Sequence, residues 1–174
     1  MSIAGIPEVI HDFNMYSRGH KILGITGEVT LPNFESMTET VSGAGILGEY
    51  EAPVIGRYGA FDMEIPFRCL NETYFSMIDP SSATELNLRG AEQLNNTTDS
   101  ATDYVGIRIV VRGRAKNLTL GKLKQGGTMD SSITIAVTYI LVEMDGQTRL
   151  ELDKINGIFK VNGTDLLSRV SQLT

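Results

Sequence analysis

The chain has 174 residues, 41% of them apolar and 21% charged, with a net charge of −6 and a single cysteine, Cys69. That length suits one domain over residues 1–174 with a sizeable core. One cysteine excludes an internal disulfide and suits synthesis in a cytosol, no apolar run approaches the ~20 residues that span a bilayer, and MSIAGIPEVIHDF lacks the features of a secretory signal.

In chain order, Val9 to Ser17 reads as a first, irregular strand that ends at the turn Arg18-Gly19-His20. A second strand is expected with Leu23, Ile25, Val29 and Leu31 on one face, interrupted by Gly24 and Gly27 and closed by Pro32. From 33 to 59 the composition turns glycine-rich and acidic without steady alternation, which predicts a long mobile loop serving as a contact arm. Within it Gly43-Ala44-Gly45-Ile46-Leu47-Gly48 matches GxGxxG. A dinucleotide site needs a strand before that motif and a helix after it. Glu49, Glu51 and Pro53 follow instead, and they would repel a pyrophosphate and break a helix. An apolar pair at a glycine-flanked tip fits a contact better.

Phe61 to Cys69 alternates cleanly, with Phe61, Met63, Ile65, Phe67 and Cys69 inward. Pro66 places that strand at an edge or a bulge, and Cys69 is expected to be a buried thiol. One helix is predicted, Asn71 to Asp79, capped by Asn71 and ended by Pro80. Glu85 to Arg89 reads as a short strand and Gly90 to Asp103 as a polar loop.

Three alternating runs then follow. Val105, Ile107, Ile109 and Val111 share one face of the first, and Arg108 and Arg112 the other. The second puts Ile133, Ile135, Val137, Tyr139 and Leu141 together. After Asp145-Gly146, a strong hairpin signal, comes the third with Leu150 and Leu152. A last strand pair is expected around Asn156-Gly157, and the tail after Asn162-Gly163 fits either a helical turn or a strand.

Charge is unevenly spread. Between Asp103 and Asp130 lie Arg108, Arg112, Arg114, Lys116, Lys122 and Lys124 and no acid, so the rest of the chain holds a net −12. Glu35, Glu39, Glu49, Glu51, Asp62 and Glu64 face only Arg57 in the acidic stretch. The two patches are either ordinary solvated faces or the two sides of a head-to-tail contact between copies. The basic window holds no aromatic residue, which argues against single-strand nucleic-acid binding. His11 and His20 stand in no metal-ligand spacing, and no HExxH, CxxC, P-loop or GxSxG motif occurs. Neither an enzyme nor a cofactor is therefore expected.

The stretch Ile109 to Gly163 resembles the C-terminal half of the major tail tube proteins of contractile-tailed phages. The similar features are Val111-Arg112-Gly113-Arg114, Gly121 through Lys124-Gln125-Gly126, Thr138-Tyr139 before Asp145-Gly146, and Asp153-Lys154-Ile155-Asn156 leading to Val161-Asn162-Gly163. Phe13-Asn14-Met15-Tyr16 and Glu28-Val29-Thr30-Leu31-Pro32 are similar as well. The resemblance implies an antiparallel β-sandwich or small barrel with one short helix and a long inter-subunit loop. It implies hexameric rings stacked into a tube inside a contractile sheath, bounded by baseplate and tail terminator proteins. The tube would conduct DNA non-specifically in a phage, or puncture an envelope in a phage-tail-like bacteriocin. The protein would reside in that particle after synthesis in the bacterial host cytoplasm, without stable membrane association. On this view Gly43, Gly45, Ile46, Leu47, Gly48, Glu49 and Glu51 of the arm meet Arg112, Arg114 and Lys116 of another subunit. The alternatives are a monomeric β-sandwich binding module and the inner tube of a type VI-like secretion system.

Overall fold

A computed structural model describes residues 5–174. Its elements are β1 (Gly5–Ser17), β2 (His20–Lys21), β3 (Ser36–Ser42), β4 (Glu49–Tyr58), β5 (Phe61–Phe67), α1 (Glu72–Met77), β6 (Thr84–Asn96), β7 (Thr102–Thr119), β8 (Ser131–Met144), β9 (Gln147–Asp153), β10 (Ile158–Val161), β11 (Thr164–Asp165) and α2 (Ser168–Leu173). The chain is mainly β, and its strand pairs are antiparallel. Nine strands form one sheet in the order β11-β10-β9-β8-β7-β6-β1-β2, with β5 beside β8, while β3 and β4 pair only with each other. The Asp145-Gly146 turn joins β8 to β9 with both residues at positive φ, 50° and 72°, as an Asp-Gly hairpin requires.

One irregularity shapes the sheet. Arg112 of β7 lies opposite Tyr139 of β8, but Gly113 lies opposite Val137, so Thr138 is an extra residue in β8. Because side chains alternate, one extra residue reverses the inward phase. Ile133, Ile135 and Val137 are buried before the bulge and Ile140 after it, whereas Tyr139 and Leu141 turn to the opposite face. That corrects the expectation of one continuous stripe through Leu141. The far side of β8 is shared at the same point: β5 pairs with Ser131–Val137 and β9 with Tyr139–Met144. Only glycine fits at 113, since a Cβ there would run into the Ala136 carbonyl and the Ile135 side chain. Gly113→Ala is expected to lower the unfolding free energy by roughly 1–3 kcal/mol, the usual range for overpacking, measured as a urea midpoint shift at constant slope.

Bent there, the sheet wraps a single core. Met15, Met63, Ile65, Phe67, Leu86, Val111, Ile133, Ile135, Ile140, Leu152 and Phe159 are buried in it, drawn from seven strands and joined by Tyr74 and Met77 of α1. Asn71 caps α1 as expected, its Oδ1 accepting from the Tyr74 backbone N–H at 2.8 Å. Tyr74 packs edge-on against Phe67 at 5.5 Å between ring centroids, and its hydroxyl donates to the Thr119 carbonyl at 3.2 Å.

Four expectations need correction. Residues 33–59 hold a β-hairpin, with Val41 opposite Tyr50 and Thr40 opposite Glu51; alternation is missing because most of its residues are exposed on both faces. Leu23 to Leu31 is no strand: only Ile25 and Thr30 bridge to β5, and Ile22 rather than Leu23 is buried. Gly24, at φ 86°, interrupts the ladder. Cys69 is exposed, because β5 ends at Phe67 before the chain turns into α1. Residues 90–96 continue β6, held between β1 and β7, although their polar side chains hide the pattern. The tail forms the short helix α2, one of the two readings left open and a second helix where one was expected.

Candidate functional site

The β3–β4 hairpin is rooted in an aromatic cluster. Phe34 packs tilted against Phe61 at 4.8 Å, and Tyr58 meets Phe34 and Phe159 edge-on at 5.6 and 5.5 Å between ring centroids. Lys154 lies over the Phe61 ring at 3.9 Å and donates to the Gly59 carbonyl, closing the base. Beyond the root the hairpin holds few buried groups. Gly43, Gly45, Ile46, Leu47 and Gly48 form its tip, where the Ile46 N–H donates to the Gly43 carbonyl at 3.1 Å. Gly45 and Gly48 stand at φ 89° and 91°, a conformation that favours glycine. Leu47 touches solvent on every side, and Met37, Tyr50, Val54 and Ile55 are exposed as well. Glu39, Glu49 and Glu51 are exposed among them, so the arm is both apolar and acidic.

A second surface has the opposite charge. At the end of β7 and in the segment after it, Leu118, Leu120 and Leu123 are exposed beside Arg114, Lys116, Lys122 and Lys124. Two backbone bonds hold this ledge: Lys122 N–H to the Met129 carbonyl at 2.8 Å and Met129 N–H to the Arg68 carbonyl at 2.7 Å. Lys122 pairs with Asp130 at 2.9 Å; the hydrogen bond between them holds the Asp130 carboxyl below its ordinary range and lifts Lys122 above its own. Arg112 pairs with Glu85 at 2.7 Å and lies 4.3 Å over the Tyr139 ring, while Lys116 pairs with Asp62 at 2.7 Å. Arg114 makes no ion pair or hydrogen bond among the described residues. Within one subunit no ion pair joins Arg112, Arg114 or Lys116 to Glu49 or Glu51 of the arm. The three leucines of the ledge are not among the contact residues expected from sequence, although they stand spaced among lysines in it.

The third surface is an edge. β2 covers β1 only at Tyr16 and Ser17, which leaves the outer side of β1 before Tyr16 without a strand partner. Ile6, Val9 and Ile10 are exposed along it. Beside this edge an apolar groove of about 720 Å³ opens between the sheet and the 21–31 segment, lined by Ile10, Phe13, Leu23, Val29, Ile107 and Ile109. A long apolar edge left unpaired is an aggregation hazard unless another chain covers it. Among the described residues no group of His, Cys, Asp and Glu is arranged to hold a metal, and no helix is long and apolar enough to cross a membrane.

A profile of the family described as phage tail tube protein FII matches residues 7–173. The chain is 31% identical over 170 residues to the tail tube protein of Escherichia phage P2, covering 94% of this chain and 95% of that one. Its identity to the major tail tube protein of Serratia phage KSP20 is 27% over 161 residues, covering 92% and 91% of the two chains. In fold it is similar to a chain of the sheath/tube terminator of the extracellular contractile injection system PVC, with a TM-score of 0.55 at 11% identity over 79% of this chain and 97% of that one.

Proposed function

The chain belongs to the phage tail tube protein FII family, and from that premise we propose that it is the repeating unit of the inner tube of a contractile tail, built as stacked hexameric rings. One observation carries the reading: a folded subunit leaves an acidic, apolar arm and a basic, apolar ledge both uncovered. Surfaces of opposite charge on different parts of one chain make a heterologous contact, which repeats into rings or filaments. Within a ring, the free side of β1 takes a strand edge of the next copy. Between rings, the arm reaches the ledge, with Arg114 facing Glu49 or Glu51. Arg112 and Lys116 stand beside this contact, each also held by a carboxylate of its own subunit.

The same geometry orients the sheet. Six copies around an axis are wedges, narrow toward the channel and wide toward the outside. The core, α1 and the arm root lie on one face of the sheet and need the wide side. The opposite face, formed by β6, by β7 as far as Arg112, by β8 after the bulge and by β9 and β10, therefore lines the channel. DNA passes through it in a phage; a sheath surrounds the tube, and terminator and baseplate proteins close its ends. The protein would be made in the host cytoplasm and work in the particle.

A charge swap tests the arm contact. Arg114→Glu is expected to leave the urea midpoint unchanged, since the side chain has no partner in the subunit, and to cut tube yield by an order of magnitude or more. Placing Glu49→Arg in the same chain should restore tubes. Normal tubes from Arg114→Glu alone would refute the contact.

A further inference from the structure

We infer that the channel wall is electrically muted by ion pairs made within each subunit, so that a passing double-stranded DNA meets cations already occupied. This rests on the tube reading above and on its choice of face. Cations are dense on that face. Arg89 of β6 lies directly opposite Arg108 of β7, and Arg112 follows two pleats further on, past Val110. Like charges directly opposite across a sheet oppose pairing, and three guanidiniums in a patch would hold phosphate.

Each is engaged. Arg108 donates to Glu143 of β8 at 2.9 Å, and Arg112 donates to Glu85 of β6 at 2.7 Å while lying over Tyr139. Arg89 lies 5.4 Å from the centre of the Tyr16 ring. Toward the far side Lys160 pairs with Glu151 at 3.3 Å, and Glu151 also accepts from the Tyr139 hydroxyl at 3.3 Å. The Arg112–Glu85 pair is half-exposed, about 49% and 54% accessible, and the other two pairs keep their cations open to solvent. Such pairs add little to stability. Their arrangement across β6, β7, β8, β9 and β10 instead offsets the charge of Arg108, Arg112 and Lys160, which would otherwise retard a polyanion. The overall acidity of the chain does not do this, because a local cluster of arginines binds phosphate whatever the sign of the rest.

The test removes the acids and keeps the arginines. Glu85→Gln with Glu143→Gln frees Arg112 and Arg108. A control, Glu28→Gln with Glu72→Gln, changes the net charge equally on the covered side of the molecule, where both acids are exposed. Binding of a ~20-base-pair duplex to isolated subunits at ~50 mM salt is expected to tighten at least about tenfold for the wall variant, with a salt slope steeper by about 2, and to stay at the wild-type level for the control. In assembled tubes of the wall variant, bound duplex should resist nuclease, being inside. Equal binding by both variants, or no gain in either, overturns the muting. Gained binding with nuclease-sensitive duplex on intact tubes overturns the assignment of this face to the channel. Failure of wild-type protein to form tubes is scored separately by microscopy, and speaks against the tube reading alone.

Discussion

Leu47→Asp subunits are expected to fold with an unchanged urea midpoint and to form no tubes at concentrations where the unaltered protein polymerises fully. Leu47 is fully exposed at the arm tip, so no contact within the subunit is lost by changing it. If the tip is covered in the assembly, burying a leucine there contributes about 1.5–3 kcal/mol at each copy. Aspartate forfeits that gain and adds a buried charge without a partner, a further cost of several kcal/mol. The loss recurs at every copy, so the penalties accumulate into a complete block. Sedimentation at matched concentrations measures it; pelleting equal to that of the unaltered protein would show the tip to be idle.

Phe67→Ala is expected to act in the opposite way, on the subunit rather than the assembly. Phe67 is wholly buried at the end of β5, edge-on to Tyr74 of α1. Its backbone also bridges to Ile25, tying the 21–31 segment to the sheet. Replacing a buried phenylalanine with alanine costs about 3–5 kcal/mol, a large part of the ~5–15 kcal/mol that holds a domain folded. Urea unfolding of the isolated subunit should show that loss, with α1 and the 21–31 segment exchanging amide hydrogens faster than β7. A change below ~1 kcal/mol would mean that this side of the core is loosely packed, against the contacts described.

The parts of the fold that could be read from sequence are those where one face is buried in the subunit itself. Phe61, Met63, Ile65 and Phe67 alternate with exposed residues because β5 covers the core with one side only. The arm was invisible as a hairpin for the converse reason: with most of Ser36–Ser42 and Glu49–Tyr58 exposed, no single-chain burial imposes a period. Tyr139 was misplaced because the Thr138 bulge is set by Gly113 on a neighbouring strand, which local alternation does not report. Cys69 is exposed because it lies two residues past the end of β5, where the alternation no longer holds. Of the expected contact residues, the glycines, Ile46 and Leu47 do form an exposed tip, and Arg114 stands free among the described residues. Arg112 and Lys116 turned out to have carboxylates of their own, because Glu85 and Asp62 come from strands whose adjacency no local signal gives.

Electron microscopy of the purified, unaltered protein across a concentration series decides whether the subunit is a tube-former. Sixfold rings are expected at low concentration and hollow stacked shafts as it rises, with the arm of each subunit resting on the next ring. A compact monomer that stays single at every concentration would contradict it.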